Sequence, residues 1–441
     1  MSSEPRFPFA KTLSMTQLER ARDFLFIFCL AAFPLFLLTI RGWTNAFFFL
    51  LVLISATYWR ELRGAYREKK FDRSTWAVIL TLASGTAAVL FSQALRGEFS
   101  VKELDGPSRM LFAIPVFLVV RERKINFVKA FQYVCPVSLL LAPLFVMISM
   151  SSWRGARIAT SFVDPITLGN YALVLGFMSL LSIDILGKDR SFIKVLKLSG
   201  LAAGIFLSAW SQSRSGWLAI PFLAALWLIA YRGSISLSGR VVVVATLLIG
   251  AIAAYYSIDF LRDRVDTIFQ NAIAWWTGTN PEFSVGFRLT MWRIALALFF
   301  KRPLEGYGDV GYTSTIYSDP DIAALAPPAA QLTDYPGPHN EILAGMLQAG
   351  VFGLLSKLML FLVPLAIFFK GLRSGSTHVY AASLLGACLA VGLLICGFFG
   401  EQVFYLKFQS AFYGLMIASL CGTALWTPSP SETIGQPNAG R

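Results

Sequence analysis

Runs of about twenty apolar residues recur from one end of this chain to the other, and that repetition leaves few folds open. A helix needs about twenty such residues to cross a hydrocarbon core, whereas a barrel strand needs about ten of alternating polarity. Hydrophobic residues make up 56% of the 441 and charged residues only 14%, with a mean hydropathy of +0.62. A soluble domain carries about a quarter of its residues as charges. The chain therefore reads as an all-α integral membrane protein. Twelve spans are expected, at about 24–40, 44–59, 74–95, 109–120, 131–152, 166–186, 195–212, 216–231, 241–258, 350–369, 379–399 and 405–425. The fourth is short and borrows residues from its flanks.

Loop charges orient the spans. The loop 60–73 holds six Lys/Arg, 121–129 and 187–197 hold four each, 232–240 and 370–377 hold two each, and the N-terminal 1–22 holds four. If the spans alternate, all of these fall on one side, and the positive-inside rule makes that side cytoplasmic. Both termini then lie inside. The apolar run behind residue 22 lacks a small-residue cleavage site, so it is expected to stay as the first of nine spans within 23–258. A Pro/Ser/Gly-rich tail at 426–441 reads as disordered.

The net charge of +13 is accounted for by this sidedness rather than by a nucleic-acid partner. All five cysteines fall inside apolar runs and offer neither a disulfide framework nor metal-ligand spacing. The outward acids, among them Asp164, Asp259, Asp263, Asp266, Glu341 and Glu401, are scattered. A divalent-metal site wants clustered carboxylates, so no metal or other cofactor is expected.

One outward segment, 259–338, is too long for a simple connector. Within it, 286–300 is apolar with Arg288 and Arg293 and reads as an interfacial helix. The Gly-, Pro-, Tyr- and Asp-rich remainder, with Tyr307, Tyr312 and Tyr317, reads as an irregular lid or pocket wall. The segment closes on Pro336-Gly337-Pro338-His339, which opens residues 339–425 and the last three spans. Proline is tolerated at a helix start. A histidine there feels the positive end of the helix dipole, which favours the neutral imidazole, and a neutral imidazole can take a proton as a general base. A polar cap at a membrane surface is the plainer alternative. His378, beside Lys370 and Arg373, fits a solvated cytoplasmic loop.

The outward face also places arginines where spans emerge: Arg154 and Arg157 after the fifth, Arg214 between the seventh and eighth, and Arg288 in the long segment. Arg214 sits in the polar turn Ser211-Gln212-Ser213-Arg214-Ser215-Gly216, so short that the guanidinium lies at or just below the membrane surface. An ionisable group at that depth is expensive and marks function more often than not; snorkelling to the headgroups is the alternative. Guanidinium forks bind phosphate bidentately and stay charged. They would grip a lipid diphosphate and stabilise charge building on it as a leaving group. Glu401, after a Gly-rich span end, fits a solvated helix end or a contact to an arginine, to the histidine or to an acceptor hydroxyl.

Four pieces, in order, resemble the O-antigen ligase and polymerase superfamily: RIATSFVDPITLGNYALVLG (157–176), SQSRSGWLA (211–219), RLTMWRIALALFFKRPLEGYGDVGY (288–312) and HNEILAGMLQAGVFGLL (339–355). The likeness covers most of 20–425 and is strongest to the O-antigen ligases. It implies a GT-C-like periplasmic glycosyltransferase of the bacterial inner membrane, with an undecaprenyl-diphosphate-linked glycan as donor and lipid A–core as acceptor. By that resemblance His339 is the base and Arg214 and Arg288 hold the diphosphate. Arg154, Arg157 and Glu401 are expected as diphosphate or acceptor contacts. No carboxylate pair suited to a retaining mechanism is evident, so the transfer is expected to invert. The spans would meet membrane lipid and offer a groove for the polyprenyl chain. An O-antigen polymerase or a protein O-oligosaccharyltransferase of the same superfamily fits the same motifs. A twelve-helix secondary transporter fits the span count, but lacks matching halves and midplane charges here.

Overall fold

The computed structural model describes residues 15–148, 157–231, 236–278, 285–309, 311–326, 337–400, 402–404 and 406–426. Among them the regular structure is helical throughout. The helices are α1 (Met15–Ala32), α2 (Trp43–Ala56), α3 (Trp59–Arg67), α4 (Arg73–Arg96), α5 (Val101–Phe112), α6 (Ile114–Glu122), α7 (Val128–Ile148), α8 (Pro165–Leu181) and α9 (Ser191–Ser211). There follow α10 (Arg214–Ala230), α11 (Leu237–Ser257), α12 (Asp259–Thr277), α13 (Val285–Lys301), α14 (Gly311–Ser318), α15 (Pro320–Ala323), α16 (Glu341–Gly371), α17 (Thr377–Phe399) and α18 (Lys407–Ala424). Six of them (α4, α7, α9, α11, α16 and α17) are long and apolar enough to cross a membrane, and α2, α8 and α10 are shorter apolar helices. The protein is a multi-pass membrane protein.

Three helices form the interior. Most residues of α8, α17 and α18 are buried, whereas α4, α7 and α9 bury one face and expose Leu, Phe and Val on the other. Within a bilayer, helices gain little from apolar contact alone, and close packing of small residues takes over. The α8–α9 contact shows this: a methyl on Gly204 would lie 2.5 Å from the Ala172 carbonyl oxygen. Along α11, by contrast, Val241, Val242, Leu248, Ile249 and Ile252 are exposed.

The polar contacts sort into two ends. At one, Arg123 bridges Asp23 and Glu61, the Asn126 amide meets His378 at 2.7 Å, and the Tyr231 hydroxyl donates to the Ile183 carbonyl. The basic loops 60–73, 121–129 and 187–197 all adjoin this end. His378 is thus half-buried and hydrogen-bonded at the start of α17, not a solvated loop residue. The arginine, serine and histidine motifs gather at the opposite end.

Several expected boundaries move. Helix α1 is already helical at Met15, inside the basic segment, and its Arg22 pairs with Glu61. The fourth expected span is two helices, α5 and α6, meeting at Ala113 with Pro115 at the start of the second. The segment 259–338 is less irregular than its composition suggests: α12 precedes α13, which is helical where an interfacial helix was expected. Asp319 caps α15 by accepting from the backbone of Asp321 and Ile322, with Pro320 at its first position.

Candidate active site

The end of α17 is where the motifs meet. Arg288, one turn into α13, donates from Nη1 to the Phe399 carbonyl at 3.1 Å. One turn further, the Trp292 indole donates to the Pro338 carbonyl at 2.8 Å and its ring lies 5.7 Å from that of Phe398. The Asn340 amide donates to the Phe398 carbonyl at 2.9 Å. Two chain segments far apart in sequence, α13 and the start of α16, are thereby pinned to two successive carbonyls left open by the helix end.

His339 sits in the left-handed region, with φ of 47°. Histidine tolerates that region better than most residues, but a non-glycine there is uncommon, and held strain of this kind clusters at functional sites. The residue after it explains the geometry. Asn340 is the N-cap of α16: its Oδ1 accepts from the backbone of Ile342 at 2.9 Å and Leu343 at 3.1 Å. The imidazole stands just outside the helix start, edge-on to Phe287 with ring centroids 6.4 Å apart.

The serine–arginine turn lies against the same helix end. Chain reversal between α9 and α10 takes place at Gln212, with φ of 58°, and Arg214 is the first residue of α10. The Ser213 and Ser215 hydroxyls both donate to Asn170 Oδ1, at 2.6 and 3.1 Å, inside the buried start of α8. Asp164 and Pro165 start α8, the carboxylate accepting from Ile166 and Thr167. Arg157 Nε donates to the Ser211 carbonyl at 3.1 Å, bracing the turn from its other side. On the α17 side the fit is tight: a methyl on Gly400 would lie 2.2 Å from the Ser215 oxygen.

Helix α16 is broken at Ala349 and Gly350, where the backbone leaves helical angles. A break exposes backbone groups that lipid cannot satisfy. The turn 303–308 supplies the partners: Tyr307 N donates to the Leu347 carbonyl at 2.7 Å, Gly308 N to that of Gln348 at 3.1 Å, and Val351 N to that of Pro303 at 2.7 Å. Gly350 is required there, with φ of 57° and a would-be methyl 2.4 Å from the Pro303 oxygen. From below, Arg96 donates to the carbonyls of Glu305 and Gln348 and pairs with Glu103 at 3.0 Å.

A family model described as "O-Antigen ligase" matches residues 199–358, a stretch that runs from α9 through the Arg214 turn, Arg288 and His339 to the fold-back of α16. That match supports membership in the O-antigen ligase and polymerase superfamily. An uncharacterized protein of Haemophilus influenzae is 23% identical over 318 residues, 70% of this chain and 75% of that one. Members of the superfamily are glycosyltransferase-like membrane enzymes, so an enzyme acting on lipid-linked glycans is the class in hand.

Of the residues expected to serve such an enzyme, Arg214, Arg288 and His339 lie on segments that converge on Phe398–Gly400, and Arg157 joins them through the Arg214 turn. Arg154 and Glu401 lie outside the described residues. Sequence reasoning passed over Asn170, Asn340 and the ion pair of Glu341 with Lys357. Asn170 and Lys357 carried a usable signal as polar groups inside apolar runs.

Proposed function

We propose that this superfamily member is an O-antigen ligase, transferring a glycan from undecaprenyl diphosphate to a sugar of lipid A–core at the periplasmic face of the inner membrane. The observation that carries the reading is the convergence of the Arg214 turn, the Arg288 helix and the His339 helix start on one helix end. A base and two guanidinium groups on that common frame suit displacement of a diphosphate.

In the step proposed, neutral His339 takes the proton of the acceptor hydroxyl as its oxygen attacks the anomeric carbon. The carbon–oxygen bond to the diphosphate breaks on the opposite face, and its electron pair leaves with the lipid diphosphate. Arg214 and Arg288 meet the growing negative charge with forked donors. One displacement inverts the anomeric centre. Arg157 positions the Arg214 turn, and Arg154 and Glu401 are assigned to substrate contact. No metal takes part in this step.

His339→Ala is the first test. With lipid-linked glycan and lipid A–core, transfer is expected to fall by about 100-fold or more, the range that a general base contributes, with normal yield of folded protein. Near-normal transfer by that variant removes the base assignment.

A further inference from the structure

A cavity of about 460 Å³ opens on the α5 side of the His339 segment. Its volume lies in the range of about 300–1,000 Å³ typical of ligand sites. Pro338 and Glu341, on either side of His339 and Asn340, line it, as do Glu103, Asp309, Gln348 and Gln402. Neither Arg214 nor Arg288 is among its described lining. The cavity therefore adjoins the proposed base and leaves out the proposed diphosphate grip.

Its lining is mixed in charge: Glu341 pairs with Lys357 and Asp105 with Lys407, while Glu103, Asp309 and Lys102 complete it. Glu103 is fixed in place through Oε2, which accepts from Arg96 at 3.0 Å and from Gln93 at 3.1 Å. Its other oxygen lies where a methyl on Gly308 would come within 2.7 Å, at the wall formed by the 303–308 turn. Asp309, next along that turn, is exposed to the cavity. Desolvation and the charge of Glu103 hold its carboxyl above the usual range. Carboxylates and amides on a rigid wall, facing a solvated space, match pairs of sugar hydroxyls.

We infer that this cavity is the subsite for a neutral, hydroxyl-rich sugar of the acceptor, with Asp309 and Glu103 accepting from its hydroxyls and presenting one hydroxyl to His339. The inference rests on the transferase reading, and a binding measurement separates the two. The probe is the delipidated core oligosaccharide of the acceptor used in the transfer assay, titrated calorimetrically into full-length protein in detergent. Asp309→Asn changes an exposed residue, and Ala344→Phe fills the cavity from α16.

The oligosaccharide is expected to bind wild type and His339→Ala alike. Asp309→Asn is expected to weaken binding, and to raise the acceptor KM, by about tenfold, as loss of a charge-assisted hydrogen bond does. The donor KM stays unchanged, and Ala344→Phe abolishes binding. If wild type transfers glycan while both variants keep wild-type binding and acceptor KM, the subsite assignment is overturned and the transferase reading stands. If wild type binds the oligosaccharide, Ala344→Phe does not, and no transfer occurs, the subsite stands and the transferase reading fails.

Discussion

The Glu341 carboxylate and the Lys357 ammonium meet at 2.5 Å, although sixteen residues separate them within α16. In an unbroken helix that separation is about 24 Å. The pair closes because the break at Ala349 and Gly350 folds the first two turns back along the rest of the helix. Gly345 and Gly353 let the two arms touch, since a methyl on Gly353 would lie 1.9 Å from the Gly345 oxygen. The second carboxylate oxygen of Glu341 accepts from Phe404 N at 3.1 Å, so this one side chain also ties α16 to the segment after α17.

Both partners are largely buried, with side-chain exposures of 3% for Glu341 and 16% for Lys357. Removing one partner of a buried pair strands the other charge and costs about 3–5 kcal/mol. Lys357→Met is expected to lower thermal stability in detergent by that order. Adding Glu341→Gln is expected to restore a large part of the loss. Equal stability of Lys357→Met and wild type would show that the pair contributes nothing to holding the fold-back.

Arg214→Lys and Arg288→Lys keep the charge and lose the fork. Each is expected to lower kcat/KM for the lipid-diphosphate donor by about tenfold or more, the range of one charge-assisted hydrogen bond. Steady-state rates with varied donor at saturating acceptor measure this. Wild-type donor kinetics in both variants would argue against bidentate phosphate binding.

Much of the helical frame was legible in advance, because lipid forces backbone groups to pair within helices and side chains to be apolar over about twenty residues. The expected tenth span began at residue 350, which is where α16 breaks. The Gly-rich sequence there carried the information. The motif order also pointed to His339, Arg214 and Arg288. What stayed hidden is what depends on distant partners. Nothing local to Asn340 says that its amide reaches Phe398, and nothing local to Arg96 says that it supports the turn at Glu305. Helices α12, α14 and α15 were missed because the Asp residues of α12 and the Gly, Tyr, Pro and Asp residues of the others resemble those of loops, while Asp319 in fact works as a cap.

Asn340 performs two tasks that substitution can separate. Asn340→Asp keeps an oxygen for the cap bonds to Ile342 and Leu343 but loses the donation to Phe398. The prediction is a nearly unchanged melting temperature with kcat lowered by about 10- to 100-fold, since a shift of about 1 Å at a reacting group costs that much. Donor KM should change little. Asn340→Ala also loses the cap, about 1 kcal/mol of stability. Full activity in Asn340→Asp would show that the link to Phe398 does not position His339.

The groups gathered at Phe398–Gly400 are proposed to move a lipid-linked glycan onto lipid A–core. The most direct test offers purified protein an undecaprenyl-diphosphate-linked glycan, with lipid A–core and a second lipid-linked glycan as competing acceptors. Glycosylated lipid A–core, absent with His339→Ala, is the predicted product. Longer chains on the polyprenyl carrier would make the protein a polymerase, and transfer to neither acceptor would contradict the account.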